Sequence, residues 1–327
     1  MKLKPATTLQ KPGVKHTCVN RIAIIDIGTN TFNLVIAEKN SSGKIVFVHQ
    51  KELPVELGRG GIHKALITPD AFDRAIKALL SHRLIIDKYE PVEFYAFATS
   101  AVRDAANSKD FTERIRIETG VEIKVISGDE EAHWIYEGVK HASLLSKRTS
   151  IIMDIGGGST EFIIGNDKGI YWKQSYPLGV SRLFEIFQPE NPISAKNKKD
   201  VEEYCLNALS DFFSAAERYN PLELIGSSGS FESFAQMLIC REGKKSVPKN
   251  GFNIKLTGFE NLYNDILAST LEQRLKMRGL LKMRANAFGF SVMLTKLVLD
   301  KLSIPKMTLS LYSLKEGIAG YMLGMKE

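Results

Sequence analysis

Two stretches of this chain are near-copies: IIDIGTNTFNLVI at 24–36 and IMDIGGGSTEFII at 152–164. With Asp26 set on Asp154, Thr29 and Asn30 fall opposite Gly157 and Gly158, Thr31 opposite Ser159, and Asn33 opposite Glu161. The separation is far longer than a solenoid repeat of about 20–50 residues. It fits two related domains in tandem, each opening with the same hairpin: apolar strand, tight polar turn, apolar strand. At roughly 100–200 residues per domain, a chain of 327 residues has room for two.

The flanking sequence extends each hairpin into an α/β unit. In the first half, 44–53 reads as a third strand. Residues 68–89 read as a helix with Thr68 at its cap, Pro69 in its first turn and an apolar stripe of Phe72, Ile76, Leu79 and Leu80. A strand running into a turn (92–105), a helix closed by Gly120 (110–120) and a strand (121–128) follow. The second half repeats the scheme: a strand at 168–179, a helix at 199–219, and a strand, glycine turn and helix at 222–238. Mostly helical sequence (259–300) and a strand, turn and closing helix (306–324) complete it, with 240–253 as a surface loop. This alternation predicts mixed sheets with helices packed on them. The expected organisation is a flexible basic tail at 1–20, a first domain at 21–129 completed by a C-terminal helix at 311–327, and a second domain at 130–310.

Composition narrows the setting. Apolar residues make up 44% and charged residues 25%, ordinary values for a chain with a real core. No run approaches the ~18 apolar residues of a membrane span, and the basic N-terminus lacks the apolar segment of a secretory signal. Cys18, Cys205 and Cys240 are far apart and without metal spacing, as expected of reduced thiols in the cytoplasm. The net charge of +7 favours a polyanionic partner without choosing one.

The chemistry concentrates at the hairpin turns. A glycine after a strand-end aspartate lets backbone N–H groups approach an anion closely. The aspartate itself repels phosphate but can hold a divalent cation that bridges to it. Either hairpin alone reads most simply as a turn that needs glycine and a capping aspartate. Two matched copies, with a third glycine turn GSSGS at 226–230, point instead to paired phosphate loops. The chain has no G-x-x-x-x-G-K-[ST] loop, no G-x-G-x-x-G after a strand, no G-x-S-x-G and no H-E-x-x-H, so its phosphate logic is neither P-loop nor Rossmann. Ser127 and Glu130 have capping-box spacing at the head of a helix, and both Glu130 and Glu131 read as first-turn acids that suit the helix dipole. On its neighbours alone Arg103 reads as an exposed ion pair with Asp104 or Glu118. Arg274, Arg278 and Lys282 fall on one face if the helix runs through Gly279, and would then form a basic stripe.

The D-I-G loops resemble those of the actin, heat-shock chaperone and sugar kinase ATPase superfamily. Taken together, IDIGTNTFNLVIAE, ATSAVRDAANSKDF, VISGDEEA and MDIGGGSTEFIIG resemble the exopolyphosphatase / guanosine pentaphosphate phosphohydrolase (Ppx/GppA) family, in order from about residue 22 to 324. The resemblance implies two tandem ribonuclease H-like domains with a cleft between them. It implies hydrolysis of a phosphoanhydride, with terminal phosphate removed from inorganic polyphosphate, guanosine pentaphosphate or both. It splits the two glutamates, making Glu130 the cap and Glu131 the base that activates water, and gives Arg103 a role on the phosphoryl oxygens. Gly28, Thr29 and Asn30 in one loop, Gly156, Gly157, Gly158 and Ser159 in the other, and Gly229 and Ser230 in the third turn would bind phosphate, the Thr29 and Ser159 hydroxyls included. Asp154 and Glu161, then Asp26, would hold Mg²⁺ or another divalent cation. The expected partner is a polyanionic phosphate, with neither DNA nor membrane; whether the chain forms a homodimer is left open. A polyphosphate- or nucleotide-binding regulatory protein without turnover and a sugar-kinase-like phosphotransferase are the alternatives. Three places depart from the family pattern. The third turn, often G-[TS]-G-G-T, lacks one glycine; the usual S-D-x-x-L-R-E-G segment carries Leu311 and Lys315; the usual R-A-D carries Asn286.

Overall fold

The structure, a computed structural model, describes residues 7–8, 20–91 and 93–324. Cys18 lies outside them; Cys205 and Cys240 are free thiols. The chain divides into two compact units, residues 1–137 with 314–327, and residues 138–313. Among the described residues no helix is long and apolar enough to cross a membrane.

The first unit is built on β1 (Thr7–Thr8), β2 (Arg21–Ile27), β3 (Thr31–Lys39), β4 (Ile45–Pro54), β5 (Glu93–Ala98) and β6 (Ile123–Val125). The order β4-β3-β2-β5 continues to β6, with the β2–β3–β4 pairs antiparallel and β2–β5 and β5–β6 parallel. Ile22, Ala23, Ile24 and Ile25 are all buried, so β2 is apolar on both faces, as a central strand covered on each side must be. The helices Pro69–Tyr89 and Ser108–Thr119 pack on one another, with Phe72 and Phe111 edge to face at 5.1 Å. The C-terminal helix Leu314–Gly324 packs against β2 and β3. Gly120 closes the second helix at φ 68°, where a side chain is strained.

The second unit repeats the plan with β7 (Ser150–Ile155), β8 (Thr160–Asn166), β9 (Gly169–Tyr176), β10 (Leu224–Ser227) and β11 (Met307–Leu309), in the order β9-β8-β7-β10-β11. Its pairings follow the same senses, antiparallel through the hairpin and parallel beyond it. The correspondence reaches single residues. Register shifts interrupt β3–β4 at Ile36/Ala37 and β8–β9 at Ile164/Gly165, the same position in the two repeats.

Four details differ from expectation. The tail is not wholly a tail: Thr7–Thr8 adds a short antiparallel strand to β5 at Phe94 and Glu93, and the remainder of 1–19 lies outside the described residues. The turn after β5 is one helical turn, Ser100–Arg103. The helix expected over 199–219 is two, Ala195–Ala208 and Ser210–Tyr219, because Leu209 leaves helical geometry (φ −99°, ψ 14°). The basic stripe does not form. The helix Leu271–Leu275 stops before Gly279, which turns at φ 89°. Arg274 is buried, donating to the carbonyls of Ala285 (2.8 Å) and Ser269 (2.6 Å) and to Asn191 Oδ1 (2.6 Å).

Candidate active site

In the first unit three adjacent parallel strands end along one edge: Ile27 of β2 lies beside Ala98 of β5, and Ala98 beside Val125 of β6. The carboxyl ends of such strands are where α/β sheets place ligands. Each delivers one expected group: the turn Gly28–Asn30, the helical turn carrying Arg103, and the helix Gly128–His141 carrying Glu131.

The first turn is tight. Gly28 N donates to Thr31 O (3.1 Å), and a Cβ on Gly28 would stand only 3.0 Å from that oxygen. The carbonyls of Thr29 and Asn30 accept from the amides of Gly58 (3.1 Å), Val55 and Glu56 (2.9 Å each). Thr29 is buried, its methyl beside Gly58. Asp26 lies opposite Asn33 in the hairpin.

At the head of the next helix, Ser127 N donates to Glu130 Oε2 (3.0 Å) and Glu130 N to Ser127 Oγ (3.1 Å). That is a reciprocal capping box, and Lys124 Nζ adds an ion pair at 2.9 Å. Burial acts to raise the Glu130 carboxyl; the Ser127 amide and the Lys124 ammonium outweigh it and hold the group below its ordinary 4.5. With Glu130 committed to the cap, its neighbour is turned elsewhere. Glu131 Oε2 accepts from Arg103 Nη1 at 2.6 Å, and only 8% of Glu131 is exposed. Arg103 Nε lies 3.4 Å from Asp104 Oδ1, and Asp104 in turn accepts from Ser100 Oγ (3.1 Å). Glu118, the other expected partner, pairs with Arg114 instead.

In the second unit the turn is the same object. Gly156 N donates to Ser159 O (3.0 Å), and a Cβ on Gly156 would lie 3.0 Å from that oxygen. Its brace is a helix start. The carbonyls of Gly156 and Gly157 accept from the amides of Val180 (3.0 Å) and Ser181 (2.9 Å), and Gly158 O accepts from Arg182 Nε (2.9 Å). Asp154 and Glu161 are directly opposite each other in β7–β8, both buried. Asp154 Oδ2 accepts from Ser227 Oγ and Ser313 Oγ, each at 2.6 Å. Glu161 Oε1 accepts from Ser159 Oγ (2.6 Å) and Ser175 Oγ (2.7 Å). The Ser159 hydroxyl therefore serves a carboxylate, where the sequence suggested a phosphate contact.

The third turn opens the helix Ser228–Arg241. Set on the family pattern, Gly226-Ser227-Ser228-Gly229-Ser230 places the missing glycine at Ser228, whose φ is +71°. Gly229 O accepts from Arg284 Nη1 (2.6 Å), and a Cβ on Gly229 would sit 2.1 Å from Arg284 Nη2. Ser230 Oγ pairs with Ser291 Oγ (2.9 Å) in the interior, so this residue has its helix-start backbone, and not its hydroxyl, to offer a ligand. Sequence reasoning missed Ser175, Ser227, Ser313 and Arg284. Strand registers bring Ser175 and Ser227 to the turns, the chain's return at 307–313 brings Ser313, and the 3-10 turn Lys282–Arg284 brings Arg284.

Among the described residues no group of three or more His, Cys, Asp or Glu could hold a metal by itself. Two adjacent carboxylates suit Mg²⁺, which keeps several waters and takes one or two protein oxygens beside substrate phosphate. Asp26 belongs to the other unit.

Comparison with known proteins identifies the family and the fold. The profile of the Ppx/GppA phosphatase family matches residues 35–325. The crystal structure of an exopolyphosphatase from Cytophaga hutchinsonii is 36% identical, covers 93% of this chain and 98% of its own, and superposes with a TM-score of 0.90. Exopolyphosphatase 1 of Mycobacterium leprae is 26% identical over 299 residues, 91% of this chain and 88% of that protein. A bifunctional 3-dehydroquinate synthase/phosphatase of Fusobacterium nucleatum is 38% identical over 221 residues, 64% of this chain but only 32% of that larger protein. The Aquifex aeolicus Ppx/GppA structure, 22% identical at a TM-score of 0.77, shares the fold. This chain belongs to the Ppx/GppA phosphatase family.

Proposed function

We propose that this chain removes the terminal phosphate of inorganic polyphosphate, guanosine pentaphosphate or both, with Glu131 as general base. The observation that carries the reading is the separation of the paired glutamates: Glu130 is locked in a capping box, while Glu131 meets the one arginine expected at the phosphate. Similarity to exopolyphosphatases across almost the whole chain supports it.

Glu131 accepts a proton from a water as that oxygen attacks the terminal phosphorus. The P–O bond to the rest of the chain breaks in line, and orthophosphate leaves with a chain one phosphate shorter. Arg103 donates to phosphoryl oxygens that gain charge in the transition state. The amides of Thr29 and Asn30 in the first unit, and of Gly157–Ser159 and Gly229–Ser230 in the second, supply N–H donors, whereas those of Gly28 and Gly156 are spent within their turns. Asp154 and Glu161 would hold Mg²⁺, which would offset the charge of the phosphates. The proposal includes a cytoplasmic setting and a polyanionic substrate.

Phosphate release is to be measured with Mg²⁺ on long polyphosphate, short polyphosphate and guanosine pentaphosphate. Release on at least one, without an acceptor alcohol, is expected. Dependence on an acceptor and ATP would make the chain a kinase; tight polyphosphate binding without release would make it a regulatory protein.

A further inference from the structure

The carboxylates of the second unit do not stand alone. The registers Ser227↔Asp154, Asp154↔Glu161 and Glu161↔Ser175 set four residues in one row across β10, β7, β8 and β9. Directly opposite residues share a face, so the row runs serine, carboxylate, carboxylate, serine along one side of the sheet. The corresponding row of the first unit reads Phe97, Asp26, Asn33, Glu52, with no serine in it. Ser159 and Ser313 complete the second-unit set from outside the row.

Directly opposed like charges on neighbouring strands destabilise a sheet, and burial raises the penalty. Each carboxylate here has one oxygen engaged by two hydroxyls: Oδ2 of Asp154 by Ser227 and Ser313, Oε1 of Glu161 by Ser159 and Ser175. A hydroxyl that donates stabilises the ionised form and fixes its rotamer. Unlike an ammonium or guanidinium, it does not cancel the charge. Four serines thus fix the orientation of the two carboxylates.

We propose that Ser175 and Ser313 are positioning residues that, with Ser159 and Ser227, set Asp154 and Glu161 for a divalent cation. The proposal rests on the assignment of those carboxylates to the metal. Outer partners of metal-ligating carboxylates typically change affinity by about 10–100-fold when removed. Ser175 and Ser313 are the informative pair because each is only partly buried, whereas Ser227 is fully enclosed.

The test is Mn²⁺ binding to the full chain, followed by the loss of the free-ion paramagnetic signal, with thermal unfolding recorded in parallel. Ser175→Ala and Ser313→Ala are each expected to weaken Mn²⁺ about tenfold or more at little change in melting temperature. Ser175→Thr and Ser313→Thr, which keep the donor, are expected to recover most of that loss. Asp154→Asn is the control for the parent assignment. Abolished binding in Asp154→Asn with unchanged affinity in both alanine variants overturns the positioning role alone. Unchanged affinity in Asp154→Asn overturns the metal assignment and the positioning role with it. A serine variant that loses both affinity and melting temperature, without recovery in its threonine counterpart, also counts against positioning.

Discussion

Arg103 and Glu131, 28 residues apart in the chain, share one short ion pair, Nη1 to Oε2 at 2.6 Å. The pair engages Nη1 of the proposed phosphate clamp with Oε2 of the proposed base. A phosphoryl oxygen arriving at the guanidinium competes for the donor that now sits on Glu131. On the proposed roles, substrate binding and release of the base for its proton are linked.

Replacing Arg103 tests that link. Arg103→Ala is expected to lower kcat about 10²–10³-fold, the usual cost of one donor to transition-state charge. Because it also strips a partner from a carboxylate with 10% of its side chain exposed, it is expected to lower stability by about 3 kcal/mol. Arg103→Lys keeps the charge without the fork and should fall between. Steady-state phosphate release with denaturant unfolding separates the two effects. A variant that is destabilised but turns over normally would make Arg103 purely structural.

The capping box makes a separate, pH-dependent claim. Glu130→Gln is expected to cost about 1 kcal/mol at neutral pH, through the lost Lys124 pair and helix-dipole interaction. The folded-state carboxyl lies below its ordinary 4.5, so its stabilisation is fully present above that value and is lost as the pH falls through the lowered one. Urea midpoints of the two proteins should therefore converge on acidification. A gap that stays constant with pH would contradict the assignment.

Ser228 holds a backbone conformation suited to glycine, at φ +71°, where the family pattern has one. Strain in that region costs a side chain roughly 1–2 kcal/mol, partly offset by the greater unfolded-state freedom of glycine. Ser228→Gly is expected to raise stability by about 0.5–1 kcal/mol without loss of activity. A lower denaturant midpoint would show that the serine side chain contributes more than its strain costs.

Much of this fold is legible in the repeat. Aligning Asp26 with Asp154 puts Asn33 opposite Glu161, and both cross-strand pairs form as that alignment requires. The capping box was also readable, since its two members are three residues apart and interact locally. What was not readable depended on distant chain segments. Ser313 reaches Asp154 only because the chain returns through β11, and Ser175 reaches Glu161 only across a strand pair whose register a bulge resets. The supposed basic stripe failed for a local reason: Gly279 turns at φ 89° and the helix has already ended at Leu275.

That failure has its own test. Arg274 donates to the buried carbonyls of Ala285 and Ser269 and to Oδ1 of the exposed Asn191, so Arg274→Ala leaves two buried acceptors without it. A stability loss of about 3 kcal/mol is expected, as two buried carbonyls are left unsatisfied. Polyphosphate affinity of the folded protein should be unchanged. Weaker binding at unaltered stability would contradict the buried, structural role of Arg274.

The most direct measurement is orthophosphate release from polyphosphate by Glu131→Gln beside the unmodified chain, with polyphosphate binding measured on both. The expected result is a rate lowered about 10²–10⁴-fold with binding retained, the loss typical of a removed general base. Undiminished release by Glu131→Gln would contradict the assignment of the base.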